Sequence, residues 1–342
     1  MKNTRMTAFA LVFCITLGIA LTGCGSNTTI KDSDVAMTAE IDGMDTLNKN
    51  AVSGSESEEM SLDLATLAAA PPIPNQLQPV ASGTNVLKNS AAAIDASNMS
   101  DGYVMVRYLG SGTARLKVLI TGPSGITYNY NLTISGEFEV FPLPDGSGSY
   151  KVGVYQNVGG TSYSTLYSTT ITVTLKDEFA PFLLSNQYVN YTLDTLVVKE
   201  AARLCEGETD LMSKLGKLYD WVVGNYTYDY NLAKTVQSGY LPDLDESYAK
   251  KSGICFDYAS TLTAMLRSQN IPTKLVIGYA GTAYHAWINV YSEDDGWINA
   301  AIYFDGKVWK RLDPTFASTG GNSQSILKYI GDGANYSERF IY

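Results

Sequence analysis

Hydrophobic and polar positions alternate along much of the chain after residue 86, and such alternation predicts β-strands. Six segments carry the pattern most clearly: 103–108, 115–121, 126–132, 138–141, 150–155 and 169–175. Glycine, proline, serine and aspartate residues, which tight turns require, stand between these segments. The first structured part of the chain is therefore predicted to be an all-β unit over residues 86–176.

Short strands at this spacing predict an antiparallel β-sandwich, immunoglobulin-like in general outline. Tyr128 and Tyr130 lie on one face of the predicted strand 126–132. Such a pair could stack on carbohydrate, but aromatic residues at every second position more often pack inside a sheet. We expect both tyrosines to be packed, and we assign the sandwich no chemistry.

The apolar spacing changes to that of helices after residue 185, with helical faces over 193–204 and 211–222. Thr209 or Asp210 is placed to cap the second helix. A tyrosine-rich turn at 225–230 and a polar loop up to Leu244 follow.

A third helix begins at Cys255 and ends before Ile271-Pro272. Next come an apolar strand at 274–279, an alternating strand at 284–291 and a hairpin that turns at Asp305-Gly306. A helix packed against a small antiparallel sheet is the result, so residues 177–342 are predicted to form an α+β domain.

The first 23 residues have the basic start and the apolar run of a secretory signal peptide. The run Leu21-Thr22-Gly23-Cys24 resembles a bacterial lipobox. The resemblance implies that Cys24 becomes lipidated and holds the protein on the extracytoplasmic side of a membrane of the bacterial cell envelope.

Residues 24–85 contain nine acidic residues against Lys31 and Lys49, with few apolar positions. This composition predicts a disordered acidic tether. The net charge of the whole chain is −10 and no basic patch is present, which argues against nucleic acid as a partner.

Cysteine usage leaves two thiols in the folded part, because Cys14 leaves with the signal peptide and Cys24 carries lipid. A disulfide between Cys205 and Cys255 is possible in an oxidising compartment, but it would consume a candidate nucleophile. We expect both to be free thiols and Cys205 to be a buried packing residue.

Cys255, His285 and Asp313 follow one another in the chain, and His285 is the only histidine of the protein. A thiol nucleophile needs a base and a carboxylate that orients the base. Placement of Cys255 in the first turn of a helix favours its thiolate form, and Gly253 allows a tight approach to that turn. Asp257 is expected to contact the helix terminus rather than to join the chemistry.

The segment 219–316 resembles the transglutaminase-like core, a papain-related superfamily of thiol acyl-transfer enzymes. Its motifs are Gly253-Ile254-Cys255-Phe256-Asp257-Tyr258-Ala259, the strand at 271–279, His285-Ala286-Trp287, Gly296-Trp297 and Asp313-Pro314-Thr315. The resemblance implies a papain-like cysteine protease fold in which Cys255 is the nucleophile, His285 the general base and Asp313 the orienting carboxylate. Residues 298–311 form a long insertion between the last two motifs.

The resemblance also implies a protein or peptide substrate that is attacked at a glutamine carboxamide or a peptide bond, with no cofactor. Trp287 and Trp297 either line the acyl site or belong to the core. The Cys255 N–H is one candidate oxyanion donor, and a second comes from Trp221 or the segment 226–228. A single histidine offers no zinc site and excludes amidases that need two histidines. A transglutaminase-like acyltransferase, a thiol protease or amidase with the same triad, and a non-catalytic binding scaffold remain.

Overall fold

The computed structural model describes residues 29–31, 67, 70–74, 78–293, 296–298, 302–304, 309–311 and 336–342. Within these residues the fold is mixed α+β, with mainly strands up to residue 173 and helices together with strands after residue 195. None of the described helices has the length and hydropathy needed to span a bilayer.

Two antiparallel sheets form the N-terminal part of the described chain. Their strands are β1 (Thr29–Lys31), β2 (Val86–Lys88), β3 (Ala92–Asp95), β4 (Tyr103–Tyr108), β5 (Leu116–Thr121), β6 (Thr127–Leu132), β7 (Glu139–Pro142), β8 (Gly148–Gly159) and β9 (Ser162–Val173). The five-stranded sheet has the order β1-β9-β8-β5-β6, and the four-stranded sheet has the order β2-β3-β4-β7. Side chains of both sheets enter one hydrophobic core, as expected for a sandwich.

All six predicted strands overlap observed strands, and the ends of β4, β5, β6 and β7 agree with the prediction to within one residue. Tyr128 and Tyr130 are both buried, so the packing interpretation of this pair is confirmed. β2, β3 and the first half of β9 were not predicted. All four residues of β3 are buried, so no alternation marks it in the sequence.

Parts of the segment 24–85, which is predicted to be a tether, lie among the described residues. β1 pairs antiparallel with β9, with Thr29 opposite Ser164. Leu67 is buried in the core that it shares with the sandwich. The edge position of β9 explains why β1 forms, because the backbone N–H and C=O groups along the edge of β9 can pair with a short extended segment. Composition alone cannot reveal such an edge.

Residues 196–342 supply the helices and a second set of strands. These are α1 (Leu196–Leu204), α2 (Leu211–Asn225), β10 (Thr227–Tyr228), α3 (Tyr230–Thr235), α4 (Leu244–Lys250), β11 (Ser252–Gly253), α5 (Cys255–Ser268), β12 (Thr273–Ala280), β13 (Ala283–Ser292), β14 (Gly296–Ile298), β15 (Ile302–Phe304), β16 (Trp309–Arg311) and β17 (Tyr336–Ile341). The main sheet has the antiparallel order β14-β13-β12-β17.

Helix caps explain where several of these helices begin. Asp210 accepts a hydrogen bond from the Ser213 N–H at 2.7 Å and caps α2, which confirms one of the two predicted caps. Asp229 caps α3 in the same way. α3 lies where the sequence predicted a loop, because only one of its residues, Ala233, is buried and its apolar pattern is correspondingly weak.

α5 packs against α1, α2, β12 and β13, and all of its residues are buried. The sequence predicted one apolar stripe, yet the polar face of the helix is enclosed as well. Arg267 lies on that face and is fully buried. Its guanidinium donates to the carbonyls of Thr273, Leu184 and Tyr342 at 2.5–2.9 Å. Arg267 therefore joins α5 to the start of β12, to the segment after the sandwich and to the end of the described chain.

A chain of aromatic rings connects the sandwich with α5. The Tyr130 ring lies 5.6 Å from the Tyr188 ring and 5.7 Å from the Tyr342 ring, measured between centroids. Tyr188 in turn lies 5.9 Å from Phe256, the second residue of α5. The core is thus continuous from the sandwich to the helix that begins at Cys255.

Candidate active site

Cys255 is the first residue of α5 and is almost completely buried, with 8% of its surface exposed. Ile254, in extended conformation, precedes it as the N-cap residue. The first N–H groups of a helix have no partner within the helix, and the positive end of the helix dipole lies there. The Cys255 side chain therefore lies at the positive end of the α5 dipole.

Gly253 is required by the side chain of Asp257. A Cβ atom on Gly253 would lie 2.4 Å from the Asp257 Cβ and 2.8 Å from one carboxylate oxygen. The sequence predicted that a glycine permits a tight approach to the helix, and the structure supplies the reason, which is close packing. The turn before Cys255 and the first turn of α5 therefore fit each other without spare volume.

Asp257 is fully buried and holds this turn. Its Oδ2 accepts a hydrogen bond from the Ile254 N–H at 2.7 Å, and its Oδ1 accepts one from the Tyr240 hydroxyl at 2.6 Å. Ser247 donates a further side-chain hydrogen bond. Burial raises the pKa of the Asp257 carboxyl to about 6, although these hydrogen bonds act in the opposite direction. The expected contact of Asp257 with the helix terminus is confirmed.

Tyr228 lies beside the approach to Cys255. β10 pairs in parallel with β11, which places Tyr228 opposite Gly253, and the Asp229 N–H donates to the Gly253 carbonyl at 2.9 Å. Burial raises the pKa of Tyr228, and negative charge on Cys255 raises it further. The phenol is therefore within electrostatic reach of the thiol.

The other two candidates for a second oxyanion donor have structural roles. Trp221 stacks on Tyr248 at 5.7 Å between ring centroids and lies under the Lys251 ammonium. The Tyr226 hydroxyl is buried and accepts a hydrogen bond from the Thr261 hydroxyl at 3.4 Å. Among the candidates named from the sequence, Tyr228 is paired with the strand directly before Cys255.

His285 lies on β13, which packs directly against α5. The core under α5 contains Ala286, Ile288 and Val290 of this strand. His285 alternates with these residues and shares the face of Trp287, whose ring centroid is 6.2 Å away. Tyr336 of β17 lies 6.4 Å from the imidazole. Cys255 and His285 thus lie on two elements in contact, but the His285 side chain is on the face of β13 opposite to the residues in the core under α5. It is mostly buried among aromatic rings.

Four further residues were named from the sequence as site residues, and the structure describes two of them. Asp313 and Cys24 lie outside the described residues. Trp297 packs 5.1 Å from the Phe182 ring and lies 3.8 Å below the Lys274 ammonium, so it clamps the segment after the sandwich onto the sheet. Trp287 is buried next to His285.

Cys205 and Cys255 are both free thiols, as predicted. Cys205 is buried, and burial raises the pKa of its thiol to about 11. A thiol in this environment is mostly protonated at neutral pH and reacts slowly. Within the described ranges, no three His, Cys, Asp or Glu side chains are grouped so as to hold a metal ion.

Tyr240 and Ser247 were not predicted to belong to the site. Both lie in segments that carry no motif, and only the fold brings them to Asp257. The one local signal was Asp243, which caps α4 through the Glu246 N–H at 2.9 Å and so fixes where the helix carrying Ser247 begins.

Residues 199–302 match the family model of the transglutaminase-like superfamily. The protein YebA of Bacillus subtilis, itself uncharacterised, is 22% identical over 184 residues, which are 44% of this chain and 24% of YebA. This chain therefore spans only a minor part of that relative's length.

Several solved structures are similar to the chain, and two of them illustrate the likeness. One is a candidate cysteine protease of Cytophaga hutchinsonii, with 15% identity, a TM-score of 0.35 and coverage of 76% of this chain and 74% of that one. The other is the periplasmic domain of TgpA from Pseudomonas aeruginosa, with 14% identity, a TM-score of 0.30 and coverage of 68% and 95%. By its match to the family model, the segment 199–302 belongs to the transglutaminase-like superfamily.

Proposed function

We propose that this protein is a lipid-anchored, extracytoplasmic thiol acyl-transfer enzyme. It acts on glutamine carboxamides or peptide bonds of proteins, with Cys255 as nucleophile, His285 as general base and Asp313 as the carboxylate that orients His285. The observation that carries the proposal is the position of Cys255. It opens a buried helix within a transglutaminase-like segment, behind a turn that Gly253 and Asp257 build closely.

The reaction proceeds in two steps in this proposal. The Cys255 Sγ attacks the carbonyl carbon after His285 has taken the thiol proton, and the C–N bond breaks as His285 protonates the leaving ammonia or amine. An amine or water then attacks the thioester, gives its proton to His285 and releases the thiolate. Oxyanion stabilisation comes from the Cys255 N–H and from the Tyr228 hydroxyl.

The substrate class is tested with a panel of glutamine-containing peptides and proteins, with and without an added primary amine. We expect ammonia release, and amine incorporation identifies an acyltransferase. His285→Ala should lower the rate by roughly 10²–10⁴-fold, because the reaction loses its base. Backbone cleavage in the same panel would instead identify the thiol protease.

A non-catalytic scaffold is the alternative that predicts no turnover at all. It also predicts that partner binding is unchanged in Cys255→Ala and His285→Ala. Circular dichroism of each variant serves as the control for folding, so that a lost activity is attributed to the missing side chain only when the variant is folded.

The lipid anchor is tested separately on the full precursor expressed in a bacterium. We expect the mature protein to partition into detergent and to carry added acyl mass on Cys24, since attached acyl chains hold a protein at a bilayer surface. Cys24→Ala should leave the protein without lipid. A soluble wild-type protein of unmodified mass would contradict the anchor without touching the enzymatic proposal.

A further inference from the structure

Besides the N–H of Asp257 itself, three hydrogen-bond donors converge on the Asp257 carboxylate, and each of the three comes from a different segment. The Ile254 N–H belongs to the residue before Cys255, the Tyr240 hydroxyl to the connection between α3 and α4, and the Ser247 hydroxyl to α4. Asp257 is two residues after Cys255 in the same helix. One carboxylate thus joins three segments directly behind the nucleophile.

This arrangement of donors suits the ionised carboxylate. An ionised carboxylate only accepts hydrogen bonds, whereas a carboxylic acid must also donate one. The Ile254 N–H cannot accept, so on protonation either the Tyr240 or the Ser247 hydroxyl has to turn round or move away. Protonation of Asp257 therefore changes the hydrogen bonds that hold the turn before Cys255.

Burial opposes the ionised form that the donors favour. Asp257 is fully buried, and its carboxyl has a pKa of about 6 for this reason. Both protonation states are consequently accessible near neutral pH. Strongly shifted groups of this kind concentrate at functional sites, and this one lies one helical turn or less from the candidate nucleophile.

Three of the titratable side chains that interact with Asp257 are buried tyrosines. They are Tyr226, Tyr228 and Tyr240, and burial raises the pKa of each above its ordinary value, so all three are neutral. Glu246 and Asp229 act on Tyr240 from α4 and from the start of α3, and both are acidic. Lys250 pairs with Glu246 at the surface.

We propose that Asp257 is a positioning residue for Cys255. Its ionised carboxylate holds the Ile254 N–H and so fixes the backbone that presents the thiol, and uptake of one proton releases this hold and lowers the reactivity of the thiol. The effect of this protonation on catalysis rests on the proposed function, but its effect on the reactivity of the Cys255 thiol does not.

The test is the rate at which iodoacetamide alkylates Cys255, followed by peptide mass from about pH 5 to about pH 8. The logarithm of the alkylation rate is plotted against pH for the wild type and for Asp257→Asn. Below about pH 6 the slope of the wild type should be larger by one, because only the wild type takes up a proton on a carboxyl at position 257. If Asp257 had only a structural role, the alkylation rate of Asp257→Asn would be lower than that of the wild type by the same factor at every pH.

Two further variants sharpen the test. Tyr240→Phe removes a donor that lowers the pKa of Asp257, so the steep region should move to higher pH. Asp220→Asn is the matched control, because burial also raises the pKa of Asp220 on α2, and it should leave the profile unchanged.

Equal slopes in folded wild type and Asp257→Asn would overturn the proposal. If Asp257→Asn fails to fold, an unshifted profile in Tyr240→Phe overturns it instead. If the wild type shows the steep region but turns over no substrate, this inference is supported and the enzymatic function is contradicted. If the wild type turns over substrate without the steep region, the enzymatic function is supported and this inference is contradicted.

Discussion

Replacing Cys255 with serine is expected to lower kcat/KM by roughly 10⁴-fold or more, because a hydroxyl at this position is not ionised and makes a far weaker nucleophile than a thiolate. The exchange of sulfur for oxygen keeps the shape of a nearly buried side chain at the start of α5. The fold should therefore survive while the chemistry is lost. The measurement is the steady-state rate on a substrate found with the peptide panel, together with circular dichroism.

Cys205→Ser is the matched control, since Cys205 is the other free and buried thiol in the described part of the chain. It follows the last residue of α1 and is buried in the core, so its replacement should leave kcat/KM within a few-fold of the wild type. Full activity in Cys255→Ser, or equal losses in both variants, would remove Cys255 as the nucleophile.

The second large effect is expected for Arg267→Met, which should lower the free energy of unfolding by roughly 3–5 kcal/mol. Methionine approximates the length of the side chain but donates no hydrogen bond, so the carbonyls of Thr273, Leu184 and Tyr342 lose a donor in the interior. Burial already lowers the pKa of Arg267 to about 10, and this desolvation of the charge offsets part of the loss. Urea denaturation measures the change.

Arg267→Lys separates charge from geometry. A lysine ammonium keeps the charge but cannot reproduce the planar arrangement of donors that reaches three carbonyls from different segments. We expect a loss smaller than that of Arg267→Met but still measurable. A change below about 1 kcal/mol in Arg267→Met would show that water or a local shift satisfies these carbonyls instead.

The pattern of the sequence was a reliable guide where one local period dominates. β4, α5, β12 and β13 were all expected from alternating or helical spacing, and the cap at Asp210 from residue type alone. The pattern missed elements that lack a period of their own. β3 is buried on both faces, and α3 has one buried residue. Neither shows contrast between two faces, which is the signal that sequence analysis uses.

The sequence by itself determined the candidate chemistry, because the sole histidine and the motif around Cys255 leave few other groups for a nucleophile and its base. It also determined the α+β class and the sandwich before it. Only the tertiary structure decided what surrounds these residues: that Tyr240 and Ser247 meet at Asp257, that Gly253 is needed for close packing, and that Arg267 is enclosed rather than exposed. The physical reason is that burial and hydrogen-bond partners depend on segments far apart in the chain, and no local period encodes which of them come together.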